Sequence, residues 1–176
     1  MKLKTLIRRP QDCSVSLKEV FIKIVTAGGE MDKARIRYSF PYTDALIFTG
    51  SGNTVMGVGA LLHPKQSFHR HLFEMAGKPE MYNPHSIESC WISVLPEYRG
   101  KGVWTHNRRA KLAHLGNLPH HSIRRIKNKN VVNPDKETQY EQVGHSFVSH
   151  IGPHELLLLA ANHDPVFDPE KRIYYC

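Results

Sequence analysis

The chain has 176 residues, 24 basic and 16 acidic, for a formal net charge of +8, and 40% of it is hydrophobic. That balance excludes a disordered or collagen-like polymer, and the length suffices for one folded domain with a full core. Three widely spaced cysteines argue against a disulfide framework or zinc ribbon, and no apolar run reaches the ~18–20 residues of a membrane span. Arg8-Arg9-Pro10 interrupts any leader-like core, so a reducing, cytoplasmic setting without a membrane is expected. The positive excess favours polyanionic partners: nucleotides, phosphorylated cofactors, nucleic acid or acidic protein.

Residues 1–12 read as a strand-like lead-in. Ser16 to Glu19 has the form of a capping box, and Leu17, Val20, Phe21, Ile24 and Val25 follow at helical spacing to a stop at Gly28-Gly29. Met31 to Phe40 is open between a strand and a helix. Ala45–Thr49 and Thr54–Leu62 flank Gly50-Ser51-Gly52-Asn53 and predict a hairpin. Residues 63–85 carry Pro64, Pro79 and Pro84, which predicts a long connection holding one short helix around Phe68, Leu72 and Phe73.

Ser86 to Leu95 predicts the next strand. Arg99-Gly100-Lys101-Gly102 then turns into a helix expected to end near Leu115, before Gly116. A short strand follows over Ser122–Lys127. Asn133-Pro134-Asp135 reads as the start of a helix that carries Tyr140 and Val143 and stops at Gly144. Phe147–Ile151 and Glu155–Ala161 predict a final strand pair, with 162–176 as a tail. The whole of 1–176 reads as one domain of mixed α/β class, its helices interspersed among the strands.

The chemistry begins at the glycine turn. A strand that opens through two glycines into a helix offers unpaired backbone N–H groups and the positive end of a helix dipole. With Arg99 and Lys101 beside them, these suit a phosphate or diphosphate. The turn is neither a Walker A loop nor the dinucleotide G-x-G-x-x-G fingerprint. A tight strand-to-helix connection with solvated basic residues has the same spelling.

Val94-Leu-Pro-Glu-Tyr-Arg99-Gly-Lys-Gly102-Val103 resembles the acetyl-coenzyme A segment of the GCN5-related N-acetyltransferases, where Gln/Arg-x-x-Gly-x-Gly/Ala follows a strand. Arg99, Gly102 and Trp104 stand at its named positions, Trp104 in place of the usual small residue. Asn133, Tyr140 and Gly144 match a second family segment, Asn-x-x-Ala-x-x-x-Tyr-Glu-Lys-x-Gly-Phe, with Lys136 and His145 departing from it. The resemblance is specific over 86–104 and 133–144 and covers the order of elements from about 15 to 161; the motif-bearing core is 86–161.

What the resemblance implies is a mostly antiparallel central sheet, splayed where the cofactor enters, with helices on both faces. It implies acetyl-CoA as cosubstrate and an amine acceptor. Arg99, Gly100, Lys101, Gly102, Val103 and Trp104 would hold the diphosphate. Backbone groups near Ile92 and Val94 would take the oxyanion, and Asn133 would orient the pantetheine arm or cap its helix. Glu88 stands where the family carries a strand-borne base, and Tyr140 where it carries an acid. Glu88, Cys90, Ile92 and Val94 are expected on one strand face.

Each of these residues also has a plainer reading. Glu88 would serve as a strand-start carboxylate paired with an arginine, Tyr140 as packing and Cys90 as a small buried hydrophobe rather than an acyl carrier. His69 and His71 are alternative bases. The twelve histidines show no metal-ligand spacing, so no metal is expected. Arg108, Arg109 and Lys111 predict a solvated basic helix face. The expected activity is direct acetyl transfer to an amine on a protein, a small molecule or an aminoacylated transfer RNA. The alternatives are a basic nucleic-acid-binding module and an inactive coenzyme-binding relative.

Overall fold

The computed structural model describes residues 2–29, 31–127, 140–148, 154–163, 166–168 and 173–175. Its helices are α1 (Val15–Ala27), α2 (Lys33–Ser39), α3 (Gln66–Met75) and α4 (Val103–Leu115). Its strands are β1 (Lys4–Arg8), β2 (Thr43–Ser51), β3 (Thr54–Leu62), β4 (Ile87–Val94), β5 (His120–Arg125), β6 (Glu141–Val148), β7 (Glu155–Ala161), β8 (Val166–Asp168) and β9 (Ile173–Tyr175). The first seven form one sheet in the order β1-β2-β3-β4-β5-β7-β6, with β1–β2, β2–β3, β5–β7 and β7–β6 antiparallel and β4–β5 parallel. The chain gathers into two compact units, Met1–Leu62 with Cys90–Gly116 and His63–Ser89 with Asn117–Cys176.

In the first unit, β2 and β3 are nearly continuous apolar runs because both their faces are covered. Leu46, Phe48, Val58 and Ala60 pack with Phe21, Ile22, Ile24 and Val25 of α1 and Ile36 of α2. The residues between them face the other way, toward α4. There Gly57 and Gly59 let the helix approach: a Cβ on Gly57 would sit 2.8 Å from Val103, and one on Gly59 3.0 Å from Asn107. Helix α1 is capped by Ser14, whose Oγ accepts from the Leu17 amide at 3.2 Å. The cap therefore lies two residues before the expected Ser16, which instead bonds Ser14 through its hydroxyl. The open segment resolves as a helix, because Asp32 caps α2 by accepting from the Arg35 amide at 2.9 Å.

In the second unit, α3 lays Leu72 and Phe73 on Tyr82, Val143, Phe147, Leu158 and Ala160. Strand β5 begins at His120, two residues before the expected start. The helix expected over Asn133–Gly144 is corrected in the part described: 141–148 is strand β6, and Asn133 lies outside the described residues. The physical cause is burial on both faces: Tyr140 packs with Leu157 and Leu159, whereas Val143 and Phe147 pack with Leu158 and Ala160, so Tyr140 and Val143 fall three apart and imitate a helical stripe. Gly144 has φ 62°, and the β6–β7 register shifts between Val143 and Phe147, a bulge within β6. The expected tail also contains structure, since β8 pairs antiparallel with β9.

Candidate functional site

Strand β4 carries Glu88, Ile92 and Val94 of the expected site. Ser89 is buried, and Glu88 keeps partial exposure. Burial raises the Glu88 carboxyl from its usual range to about 7. Among the described residues it has no ion-pair partner, so the strand-start salt bridge is absent.

Three residues on, Trp91 has φ 52°, a left-handed conformation rare for a bulky side chain. Its indole meets Phe21 edge-on at 6.2 Å, and Cys90 packs against the same α1-side cluster. Two consecutive residues thus share a side, and Ser93 returns to it by donating its hydroxyl to the Ile24 carbonyl at 2.9 Å. Ile92 and Val94 turn instead toward Gly59 and Gly57. The single face expected for Glu88, Cys90, Ile92 and Val94 is therefore broken at the Trp91 bulge. Cys90 has the packing role.

Beyond β4, the Leu95 amide donates to the Met56 carbonyl at 2.9 Å, and a 3-10 turn over Pro96–Tyr98 leads to the glycines. Gly100 and Gly102 have φ 74° and 78°, with open space where a Cβ would stand. Gly102 is the N-cap of α4 and offers no capping side chain, so the amides of Val103, Trp104 and Thr105 lack intrahelical acceptors. Arg99 Nε donates to the Val94 carbonyl at 3.2 Å, and the Lys101 ammonium lies 5.5 Å over the Tyr98 ring. The Trp104 indole lies under the Arg108 guanidinium, 5.1 Å away and one helical turn on. This uncapped, glycine-entered helix start fits a diphosphate: amides, a dipole and two cations converge, and no side chain fills the approach.

Tyr140 immediately precedes β6 and is 4% exposed. Its ring meets His120 edge-on at 5.0 Å and lies 5.3 Å under the Arg124 guanidinium, in a cluster with Leu157 and Leu159. The packing role expected of it in the plainer reading is therefore met.

Sequence reasoning misplaced some charged and titratable groups. Of the expected basic helix face only Arg109 is exposed; Arg108 and Lys111 are buried, because Gly57 and Gly59 draw α4 close to the sheet. His71 is exposed and sits 3.2 Å from Glu74. His69 is interior, with its pKa lowered to about 4 by burial, and belongs to a histidine cluster with His121 and His163. The visible signal was the adjacent His120-His121 pair at the head of β5.

No family model and no curated relative matches the chain. Solved structures do resemble it. An acyl-CoA N-acyltransferase from Pseudomonas aeruginosa aligns at TM-score 0.65 and 8% identity, over 91% of this chain and 99% of that one. An N-acyl amino acid synthase from uncultured soil microbes aligns at TM-score 0.60 and 11% identity, over 91% of each. An N-acetyltransferase from Staphylococcus aureus aligns at TM-score 0.60 and 11% identity, over 92% of this chain and 99% of that one. At such identities what is shared is architecture: the chain has the fold of the GCN5-related N-acetyltransferases.

Proposed function

We propose that this chain is an acyl-CoA-dependent N-acyltransferase, that its donor is acetyl-CoA, and that it passes the acetyl group directly to an amine. The observation that carries the reading is one continuous segment. Strand β4 bears a carboxyl with a pKa of about 7, bends at Trp91, and runs on into the uncapped glycine entrance of α4.

Acetyl-CoA supplies an activated thioester. The amides of Val103, Trp104 and Thr105, with Gly100, Gly102, Lys101 and Arg99, hold the diphosphate. Backbone groups of Ile92 and Val94 hold the pantetheine arm and stabilise oxyanion charge. Glu88 takes the proton of the attacking amine. An alkyl ammonium has a pKa of ~10.4, so a carboxylate raised to about 7 is roughly 300-fold more basic than one at the ordinary 4.5. Tyr140 returns a proton to the departing thiolate, and Asn133 remains a proposed contact to the pantetheine. The +8 charge favours an acidic acceptor or an amine carried on transfer RNA.

Thermal melting against acetyl-CoA, with adenosine as control, tests the donor. A ligand that binds only the folded chain adds ~2.7 kcal/mol at a hundredfold excess over Kd. Thiol release in the presence of an amine panel then tests transfer. A flat melting temperature together with no thiol release would remove the proposal. Salt-sensitive nucleic-acid binding without a coenzyme response would put the binding-module reading in its place.

A further inference from the structure

Helix α3 is fastened to the second unit by imidazoles as well as by hydrocarbon. His69 of α3 and His121 of β5 stack ring on ring, centroids 4.3 Å apart and planes 11° from parallel, and they are 1% and 0% exposed. Tyr82 closes on His69 edge-on at 4.9 Å, while Phe73, one turn along α3, stacks on His163 at 5.7 Å.

The hydrogen bonds fix where the protons are. The Met81 carbonyl can only accept, so His163 Nδ1 carries a hydrogen and donates to it at 3.3 Å. His163 Nε2 is then an acceptor and takes the Ser86 hydroxyl at 2.6 Å. The Ser86 oxygen in turn accepts from His121 Nδ1–H at 2.8 Å. His121 Nε2 is left as a bare lone pair, buried without a hydrogen-bond partner among the described residues, and His69 Nε2 is likewise buried and unpartnered. The imidazoles of His69, His121 and His163 are neutral in this arrangement, and each has a site where a proton would be unwelcome. A proton on His163 Nε2 evicts the serine donor. One on either buried Nε2 places a cation in the core beside a second imidazole.

We propose that this cluster is an acid-sensitive latch, in which protonation of His69, His121 and His163 releases α3 from β5 while the first unit stays folded.

Among the described residues around the cluster, no free anion is placed to receive the charge. On α3, Arg70 adds a cation 5.1 Å over the Tyr82 ring, and the His71–Glu74 pair is exposed. The segment after α3 has Lys78 and Glu80 paired with each other in solvent. Strand β5 adds His120, whose Nδ1 is held by the Leu118 carbonyl at 2.8 Å. Strand β6 adds His145, its amide bonded to the Ala76 carbonyl, and β7 has Glu155 bonded to Ser146. Strand β4 brings Glu88, which is itself neutral below about pH 7. Burial lowers His69 and His163 to about 4 and His121 well below its ordinary value. The open state therefore takes up protons as pH falls below about 6.5, each adding up to about tenfold per pH unit to the opening constant. Glu88, if freed on opening, gives one back against three.

Amide hydrogen exchange at about pH 7 and about pH 5, corrected for intrinsic rates, tests the latch without reference to any activity. The expected result is that α3 loses protection at least about tenfold at the lower pH while α4 keeps its own. His69→Phe, which retains an aromatic stack without a titrating nitrogen, should flatten the α3 response. Side-chain nitrogen NMR of the unsubstituted protein provides the second measurement should that variant fail to fold: His121 and His163 must hold their neutral Nδ1–H tautomers and titrate together with α3 opening. Equal α3 protection at both pH values, loss of α3 and α4 together, or early titration of these histidines independent of opening overturns the proposal.

Discussion

The two units build their interiors from different materials. The first wraps α1 and α2 over one face of β2 and β3 with Phe21, Phe48 and aliphatic side chains, and its buried charges are the Arg108 and Lys111 cations of α4. The second puts Glu88, Ser86, His69, His121 and Asn83 inside or nearly so. Apolar burial responds weakly to pH, whereas each buried titratable group ties folding to proton uptake or release. The buried imidazoles and the raised carboxyl lie in the second unit, while the first holds the glycine-entered helix start.

The largest effect that separates them is catalytic. Glu88→Gln should reduce amine acetylation about 10²–10⁴-fold. It should also abolish a rise in kcat/KM expected of the parent as pH passes about 7, where the proposed base would ionise; an unchanged profile in the variant would exonerate Glu88. A backbone test comes next. Gly144→Ala should destabilise the second unit by about 2–4 kcal/mol, since φ is 62° and a Cβ there runs into the Ala76 carbonyl. Gly29→Ala in the first unit, with φ 75° but open space around it, should cost about 1 kcal/mol. Denaturant midpoints followed by exchange in each unit distinguish the two, and equal losses would refute the bulge account.

How the sequence was misleading at Gly144 is instructive. Alternation marks a strand only where a single face is covered, and here both are. Tyr140 on one face and Val143 on the other therefore stand at helical spacing before the stop at Gly144. A loss of phase occurs at Trp91, where no composition signal marks a left-handed residue inside a strand. In contrast, the β2–β3 hairpin and the turn into α4 were legible because glycine is needed there for local reasons that neighbouring residues also announce. Burial of Arg108 and Lys111 was illegible from α4 alone, because it depends on two missing side chains in β3.

Smaller effects sharpen the contrast. Glu88→Gln should stabilise the fold by about 1–3 kcal/mol at alkaline pH and by almost nothing at about pH 4. The sign follows from the raised carboxyl: between about 4.5 and about 7 the folded state holds a proton that the unfolded chain has lost, so the parent loses stability as pH rises through that window. Chemical denaturation at several pH values checks it; a variant advantage that is independent of pH would contradict the burial argument. Smallest is Ser14→Ala, which removes the α1 cap and should cost about 1 kcal/mol at every pH, measured in the same titrations.

The placement of the two tryptophans has a spectroscopic consequence. Trp91 sits against Phe21 and Trp104 against Arg108, both within the first unit, and the chain has no others. Intrinsic indole emission is therefore a reporter of one half of the molecule. An acid titration followed by that signal alone would register a steady folded baseline while α3 came away in the other half. A signal from the second unit is needed to see the event.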